Sequence, residues 1–109
     1  MKYEEVAKFV ASLGLDYAYY LFPESGSPDL PYIIYFFPNV VTEDADDTGY
    51  SRIATLDIEL YTENKDFSLE EEIEEKLIDA GFSFNKQETY ISSENMYEQI
   101  YEMEVVIDG

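Results

Sequence analysis

Carboxylates are the groups through which this chain could do chemistry, since it carries 25 Asp and Glu, six Lys and Arg, and no His or Cys. The lack of His removes the commonest general base and transition-metal ligand. The lack of Cys excludes thiolate nucleophiles and disulfides. Two carboxylates can hydrolyse a glycosidic bond when they face each other across a cleft at a fixed separation. No pair here is distinguished by its spacing, so the sequence predicts no enzyme, no catalytic residue and no cofactor.

One acidic segment, residues 42–49 (TEDADDTG), has part of the spacing of a calcium-binding loop. Asp44, Asp46 and Gly49 match the first half of an EF-hand loop. The closing Glu that such a loop requires is replaced by Thr55. The segment is therefore predicted to be a mobile acidic loop that proteases cleave first, and not a metal site.

The formal net charge of −19 limits the partners that the chain can bind. Nucleic acids and anionic membranes would repel it, so we expect no membrane binding and no sequence-specific contact with nucleic acid. A protein that imitates DNA with rows of carboxylates is the exception. An acidic DNA-mimic inhibitor of a nucleic-acid-binding enzyme is therefore the alternative hypothesis. The acidic start of the chain is not a signal peptide, and no apolar run approaches the ~20 residues of a membrane span, which predicts a cytoplasmic protein.

Hydrophobic periodicity predicts a single α+β domain over residues 1–109, with the element order α-β-β-β-α-β-β. The 11 Tyr and seven Phe favour strands. We expect a mainly antiparallel sheet of about five strands with two helices. The predicted helices are Tyr3–Leu13 and a second that begins at Ser68 and is closed by Gly81. The predicted strands are Tyr17–Phe22, Tyr32–Phe37, Ser51–Tyr61, Phe82–Tyr90 and Met96–Ile107.

Two of these elements divide clearly into faces. In the third strand, Leu56, Ile58 and Leu60 alternate with polar residues, which predicts a half-buried strand. In the second helix, Ser68 and Glu71 have the spacing of a capping box. One side of that helix is an apolar stripe, and the other is predicted to be a solvated acidic face formed by Glu70, Glu71, Glu74, Glu75 and Asp79.

The final predicted strand is longer than the usual ~5–6 residues, so we expect the last hairpin to extend past the sheet. An exposed edge there would offer backbone donors and acceptors to a neighbour. The predicted assembly interface consists of Tyr97, Glu98, Tyr101, Glu102 and Glu104. Copies joined head to tail through such a contact can close into a ring. The shared acidity would make a ring of isolated subunits weak.

Five segments carry a resemblance to a known family. They are LGLDYAYYLFPE (Leu13–Glu24), PYIIYFFPN (Pro31–Asn39), IELYTENKD (Ile58–Asp66), DAGF (Asp79–Phe82) and YEQIYEMEVVIDG (Tyr97–Gly109). These strand and turn patterns cover most of the chain. Together they resemble the small tail-terminator and tail-completion proteins, which join head and tail in long-tailed phages and prophages.

The resemblance implies a structural assembly protein rather than an enzyme. Proteins of this family assemble as rings at the end of the tail tube that faces the head. For this chain the resemblance implies contacts with copies of itself, with the tail-tube protein and with the head connector. It also implies assembly in the cytoplasm of a bacterial host and a final place at the head–tail junction of the virion.

Overall fold

The computed structural model describes residues 1–44 and 50–108, and it has the predicted order of two helices and five strands. The helices are α1 (Tyr3–Ser12) and α2 (Phe67–Asp79). The strands are β1 (Asp16–Tyr19), β2 (Tyr32–Asp44), β3 (Tyr50–Thr62), β4 (Phe84–Ile91) and β5 (Met96–Ile107). The predicted α+β class is confirmed. Neither helix in these two ranges is long and apolar enough to cross a membrane.

The strands form one sheet in the order β1-β2-β3-β5-β4. β1 and β2 are parallel, and the other pairings are antiparallel. β5 pairs with β3 from Tyr97 to Ile107, and with β4 on its other side from Met96 to Met103. The prediction that the last hairpin extends past the sheet is therefore wrong. β5 is long because it fills an inner position beside β3, which is similarly long.

Both helices cover the same face of the sheet, and the core lies between them and the inner strands. The face predicted to be apolar in β3 is confirmed, since Leu56, Ile58 and Leu60 are all 0% exposed. The helices and β5 complete this core with Val6, Val10, Leu13, Ile73, Leu77, Tyr101, Met103, Val105 and Ile107. Side chains alternate between the two faces of a strand. Every second residue of β3 and β5 therefore points to the other face, which no helix covers in the described residues.

β1 is shorter than the predicted strand Tyr17–Phe22. Tyr20 has a left-handed backbone conformation with φ of 69°, which ends the extended strand at Tyr19. The N–H of Tyr20 still donates to the carbonyl oxygen of Tyr35 over 2.9 Å. As a result, β1 covers only the first residues of β2, Tyr32–Tyr35.

β2, by contrast, continues well beyond its predicted end. Pro38 cannot donate to the ladder, and the register with β3 shifts between Phe36 and Asn39, as in a β-bulge. This irregularity accommodates the proline inside a strand of 13 residues. The predicted acidic loop is thus partly strand, because residues 42–44 belong to β2. Residues 45–49 lie outside the described ranges.

α2 begins with a different cap from the predicted one. Its N-cap is Asp66, whose carboxylate accepts a hydrogen bond from the backbone N–H of Leu69 over 3.0 Å. Ser68 lies inside the first turn, so the predicted capping box of Ser68 and Glu71 is wrong. Asp and Ser are both favoured at N-cap positions, and residue type alone does not separate the two starts.

Candidate assembly surfaces

The side chain of Tyr101 lies on the core side of β5, where it is 0% exposed. Its ring meets that of Phe84 edge-on, with 5.3 Å between centroids. Its hydroxyl donates to Glu74 over 2.7 Å. Burial, reinforced by Glu74, raises the pKa of this hydroxyl. The prediction of Tyr101 as an interface residue is wrong, because alternate residues of this inner strand are buried under the helices.

The other four predicted interface residues are accessible to different degrees. Tyr97 is half-buried at the hairpin end of β5, with its ring 4.9 Å from that of Tyr90. Glu98, Glu102 and Glu104 point to the uncovered face of the sheet, the two last being exposed. A second molecule can therefore reach them, and their part in an interface stays a prediction.

Two further carboxylates, on β3, join these three glutamates on the uncovered face. Asp57 lies directly opposite Glu102 in the sheet, and Glu59 lies one pair further along the same face. Like charges on directly opposite residues are destabilising. Alternation placed Asp57 and Glu59 on the polar side of β3, but only the pairing of β3 with β5 brings the acids together. We define the acidic face as Asp57, Glu59, Glu98, Glu102 and Glu104.

The acidic face leaves its own charge poorly balanced. Burial, and then the charge of Glu102, raises the pKa of Asp57. Its Oδ1 has no hydrogen-bond partner among the described residues. The Tyr61 hydroxyl lies 2.9 Å from Glu59 Oε1 and 2.6 Å from Glu98 Oε2, although it has one proton to donate. Burial also raises the pKa of Glu59, and the charges of Glu98 and Asp57 raise it further. The hydrogen bond from Tyr61 acts in the opposite direction but is outweighed.

A groove of about 560 Å³ lies on the helix-covered side, at the beginning of α1. Three of the six basic residues of the chain line it, namely Lys2, Lys8 and Arg52. The side chain of Arg52 points to the helix-covered side of the sheet, because Arg52 is paired with the buried Ile107 of β5. Acidic and basic side chains are equal in number in its lining. Sequence reasoning missed it because these residues are far apart in the chain.

Three carboxylates also line this groove, those of Glu4, Glu5 and Asp108. Asp108 pairs with the amino group of Met1 over 2.6 Å. The charge and hydrogen bonds of that amino group hold the pKa of Asp108 below its ordinary value. Glu5 accepts a hydrogen bond from the backbone N–H of Lys2 over 2.9 Å. Within the described part of the chain, none of the three basic side chains forms a salt bridge.

The prediction that the acidic side of α2 is solvated is wrong for two of its residues, Glu70 and Glu74. Glu70 is 1% exposed, and its carboxylate accepts hydrogen bonds of 2.7–2.8 Å from Lys65 and Lys86. Glu74 accepts a hydrogen bond of 2.7 Å from Lys86. Burial alone would raise the pKa of Glu74, but bonds from Lys86 and Tyr101 hold it below its ordinary value. These groups form an internal ion cluster that fixes α2 to β4, whereas Glu71, Glu75 and Asp79 are exposed as predicted.

The sheet also has free edges in the described residues. Beyond Tyr35, residues 36–44 of β2 have no strand partner on the β1 side. This edge spans about 30 Å at ~3.3 Å per residue. The N–H of Phe37 is satisfied by the Tyr19 hydroxyl at 3.2 Å, and the exposed Val40 follows. β4 forms the opposite edge of the sheet. Edges of this kind can pair with a strand of another molecule.

Residues 1–44 and 50–108 contain no group of three or more Asp, Glu, His or Cys side chains arranged to hold a metal ion. Most of the segment that was compared with a calcium loop lies outside these ranges, so its predicted lack of calcium binding stays a prediction.

Comparison with known proteins adds a likeness of fold. No protein-family model matches the sequence, and no curated protein matches it. Among solved structures, this chain is similar to a chain from the virion of a native gene transfer agent particle. The TM-score is 0.59 at 18% sequence identity, over 94% of this chain and 86% of the other. At that identity the likeness establishes a shared fold: this two-helix, five-strand domain is a fold that a virion chain also adopts.

Proposed function

We propose that this chain is a structural subunit of a phage or prophage virion, and specifically a tail-terminator or head–tail joining protein. It forms a ring at the end of the tail tube and offers a docking surface to the head connector. The observation that carries the proposal is the fold shared with a chain of a gene transfer agent virion, which extends over 94% of this chain. The resemblance of its strand and turn segments to tail-terminator proteins supports the finer assignment.

The proposed mechanism is complementarity of surfaces rather than catalysis. The uncovered sheet face and the free edges of β2 and β4 are available for contacts with copies of the chain and with the tube protein. A ring needs two different surfaces on each subunit, because a head-to-tail contact joins one patch to another. Assembly takes place in the cytoplasm of the bacterial host, and the finished ring remains at the head–tail junction.

The test is electron microscopy of tubes polymerised from a tail-tube protein of the same phage or prophage, with and without the purified chain. We expect a ring at one end of each tube and an arrest of further growth at that end. An unrelated acidic protein of similar size serves as the control. If the chain never binds the tube but tightly inhibits a DNA-binding enzyme, the virion proposal fails and the DNA-mimic hypothesis replaces it.

A further inference from the structure

We propose that a groove on the uncovered side of the sheet binds an arginine side chain that a different, positively charged protein presents. We call it the tyrosine groove and define it by Tyr20, Tyr32 and Tyr61, which line it. Its volume is about 400 Å³. The inference rests on the proposed function in one respect, because it states the chemistry that a virion partner presents to the uncovered side.

The floor of the tyrosine groove belongs to the sheet. Tyr32 of β2 is paired with Tyr61 of β3, and the centroids of their rings are 5.2 Å apart. Ile34, which also lines the groove, is the next residue of β2 on the same side. Residues 20–23, which follow β1, complete the lining. The groove is therefore built by two inner positions of the sheet and by the chain segment that leaves its edge.

Tyr20 is placed at the rim of the groove by an unfavourable backbone conformation. Its φ of 69° lies in the left-handed region, which bulky residues rarely adopt. The ring meets that of Phe36 edge-on, with 5.3 Å between centroids. Tyr20 is still 62% exposed, and Leu21 beside it is 60% exposed. The fold thus holds an aromatic and an apolar side chain where a side chain of another molecule can cover them.

The charge around the tyrosine groove has one sign. Glu94 lines it, and Glu59 and Glu98 lie 2.9 Å and 2.6 Å from the Tyr61 hydroxyl. That hydroxyl has one proton to donate, so it cannot serve both carboxylates. No basic side chain offsets these acids on the uncovered side, because all six lie with the helices or on the side that the helices cover. These six are Lys2, Lys8, Arg52, Lys65, Lys76 and Lys86.

Aromatic rings beside carboxylates with no local base are complementary to an arginine side chain. The guanidinium group is planar, stacks on tyrosine rings and carries five N–H donors that match carboxylates. Arginine and tyrosine are also enriched among the residues that dominate the binding energy of interfaces. The protein that presents this arginine is a different one, because a second copy of this chain has a formal net charge of −19 and would be repelled.

NMR titration of the native chain with short peptides tests the inference. The probe is a capped tripeptide with arginine between two glycines, and the matched peptide carries citrulline, the neutral isostere of arginine. We expect the arginine peptide to shift the backbone amide signals of Tyr20, Ile34 and Glu98, with a Kd on the order of 1–10 mM for so small a ligand. The citrulline peptide should bind at least about fivefold more weakly, because it lacks the positive charge.

Three variants separate the tyrosine groove from the general acidity of the sheet. Glu98→Gln removes one carboxylate beside the groove, and Tyr20→Ala removes one ring. Each should weaken binding of the arginine peptide by about two- to fivefold. The matched control is Glu104→Gln, which lies on the same side of β5 but about 20 Å from Glu98 at ~3.3 Å per residue. It should leave the affinity unchanged, and the dispersion of the amide spectrum verifies that each variant folds.

Each outcome decides a specific point. The inference is overturned if the two peptides bind alike, if Glu98→Gln and Glu104→Gln weaken binding equally, or if ~20 mM arginine peptide causes no shift. Self-association of the native chain that Arg52→Gln abolishes would make the occupant a second copy and overturn the choice of partner. Rings that form on tail tubes without any binding of the peptide would defeat this inference alone. Binding of the peptide by a chain that never binds a tube would uphold the arginine site and defeat the proposed function.

Discussion

At the scale of single residues, the internal ion cluster shows how an acidic protein holds a buried carboxylate. Glu70 is 1% exposed, yet Lys65 and Lys86 both donate to it at hydrogen-bond distance. Removing one partner of a buried pair is costly, because the remaining charge stays desolvated. The lysines are 25% and 32% exposed, which moderates that cost.

Replacing Lys86 by Met should therefore lower the free energy of unfolding by about 1–3 kcal/mol. Met keeps an aliphatic side chain of similar length opposite Tyr101 in the sheet, so the loss reports mainly on the ammonium group. The matched control is Lys76→Met, which removes only a surface contact of 3.9 Å to Glu72. The control should change stability by less than about 0.5 kcal/mol. Urea denaturation at neutral pH measures both, and equal losses would contradict the structural role of the cluster.

Asp57 presents the opposite case, a carboxylate that the fold tolerates at a cost. Its pKa is raised by burial and by Glu102. Protonation of Asp57 therefore stabilises the folded state. This contribution is fully present below the unfolded pKa of ~3.9, and it is lost as the pH rises through the raised pKa of the folded state. At neutral pH, Asp57→Asn should add about 0.2–1 kcal/mol of stability by removing the like-charge pair. Melting temperatures at neutral and mildly acidic pH test this, since the advantage should shrink on acidification, unlike that of the surface control Glu75→Gln.

At the scale of elements, sequence patterns predict which face of a strand is buried better than they predict which strands lie beside it. The alternation of Leu56, Ile58 and Leu60 predicted the buried side of β3, because a half-buried strand repeats every second residue. The bounds of β5 were also predicted. Strand order was not, since no pattern within β5 indicates that β3 lies beside it. The expectation of a protruding edge is wrong for this reason, because β5 is an inner strand and Tyr101 is a core residue.

The beginning of α2 offers a direct comparison of the predicted cap and the observed cap. The Asp66 side chain accepts the Leu69 N–H at the N-terminus of the helix. Asp66→Ala should therefore cost about 0.5–2 kcal/mol of unfolding free energy. Ser68→Ala is the matched control, because Ser68 lies within the first turn, and its change should be within about 0.5 kcal/mol. A larger loss for Ser68→Ala, measured by chemical denaturation, would restore the predicted capping box.

At the scale of the whole molecule, the acid excess acts on a flat, elongated body. The principal extents are 51 × 31 × 22 Å. In so thin a body, Glu70 is the only buried acid among the described residues. Mutual repulsion therefore acts mostly between groups near water, where salt screens it. The buried ion cluster is screened much less, so added salt should remove more repulsion than attraction.

The melting temperature should accordingly rise by a few degrees when sodium chloride is increased from ~10 mM to ~150 mM, as the Debye length falls from ~30 Å to ~8 Å. The reason is that the folded state concentrates 19 excess negative charges more than the unfolded chain does. Self-association would also raise the melting temperature, through mass action. The measurement is therefore repeated at two low protein concentrations, between which the rise should not change. Potassium chloride should give the same rise, because screening depends on ionic strength and not on a specific ion. A melting temperature that falls over this range would show that salt-sensitive attractions, rather than repulsion between the carboxylates, dominate the stability of the fold.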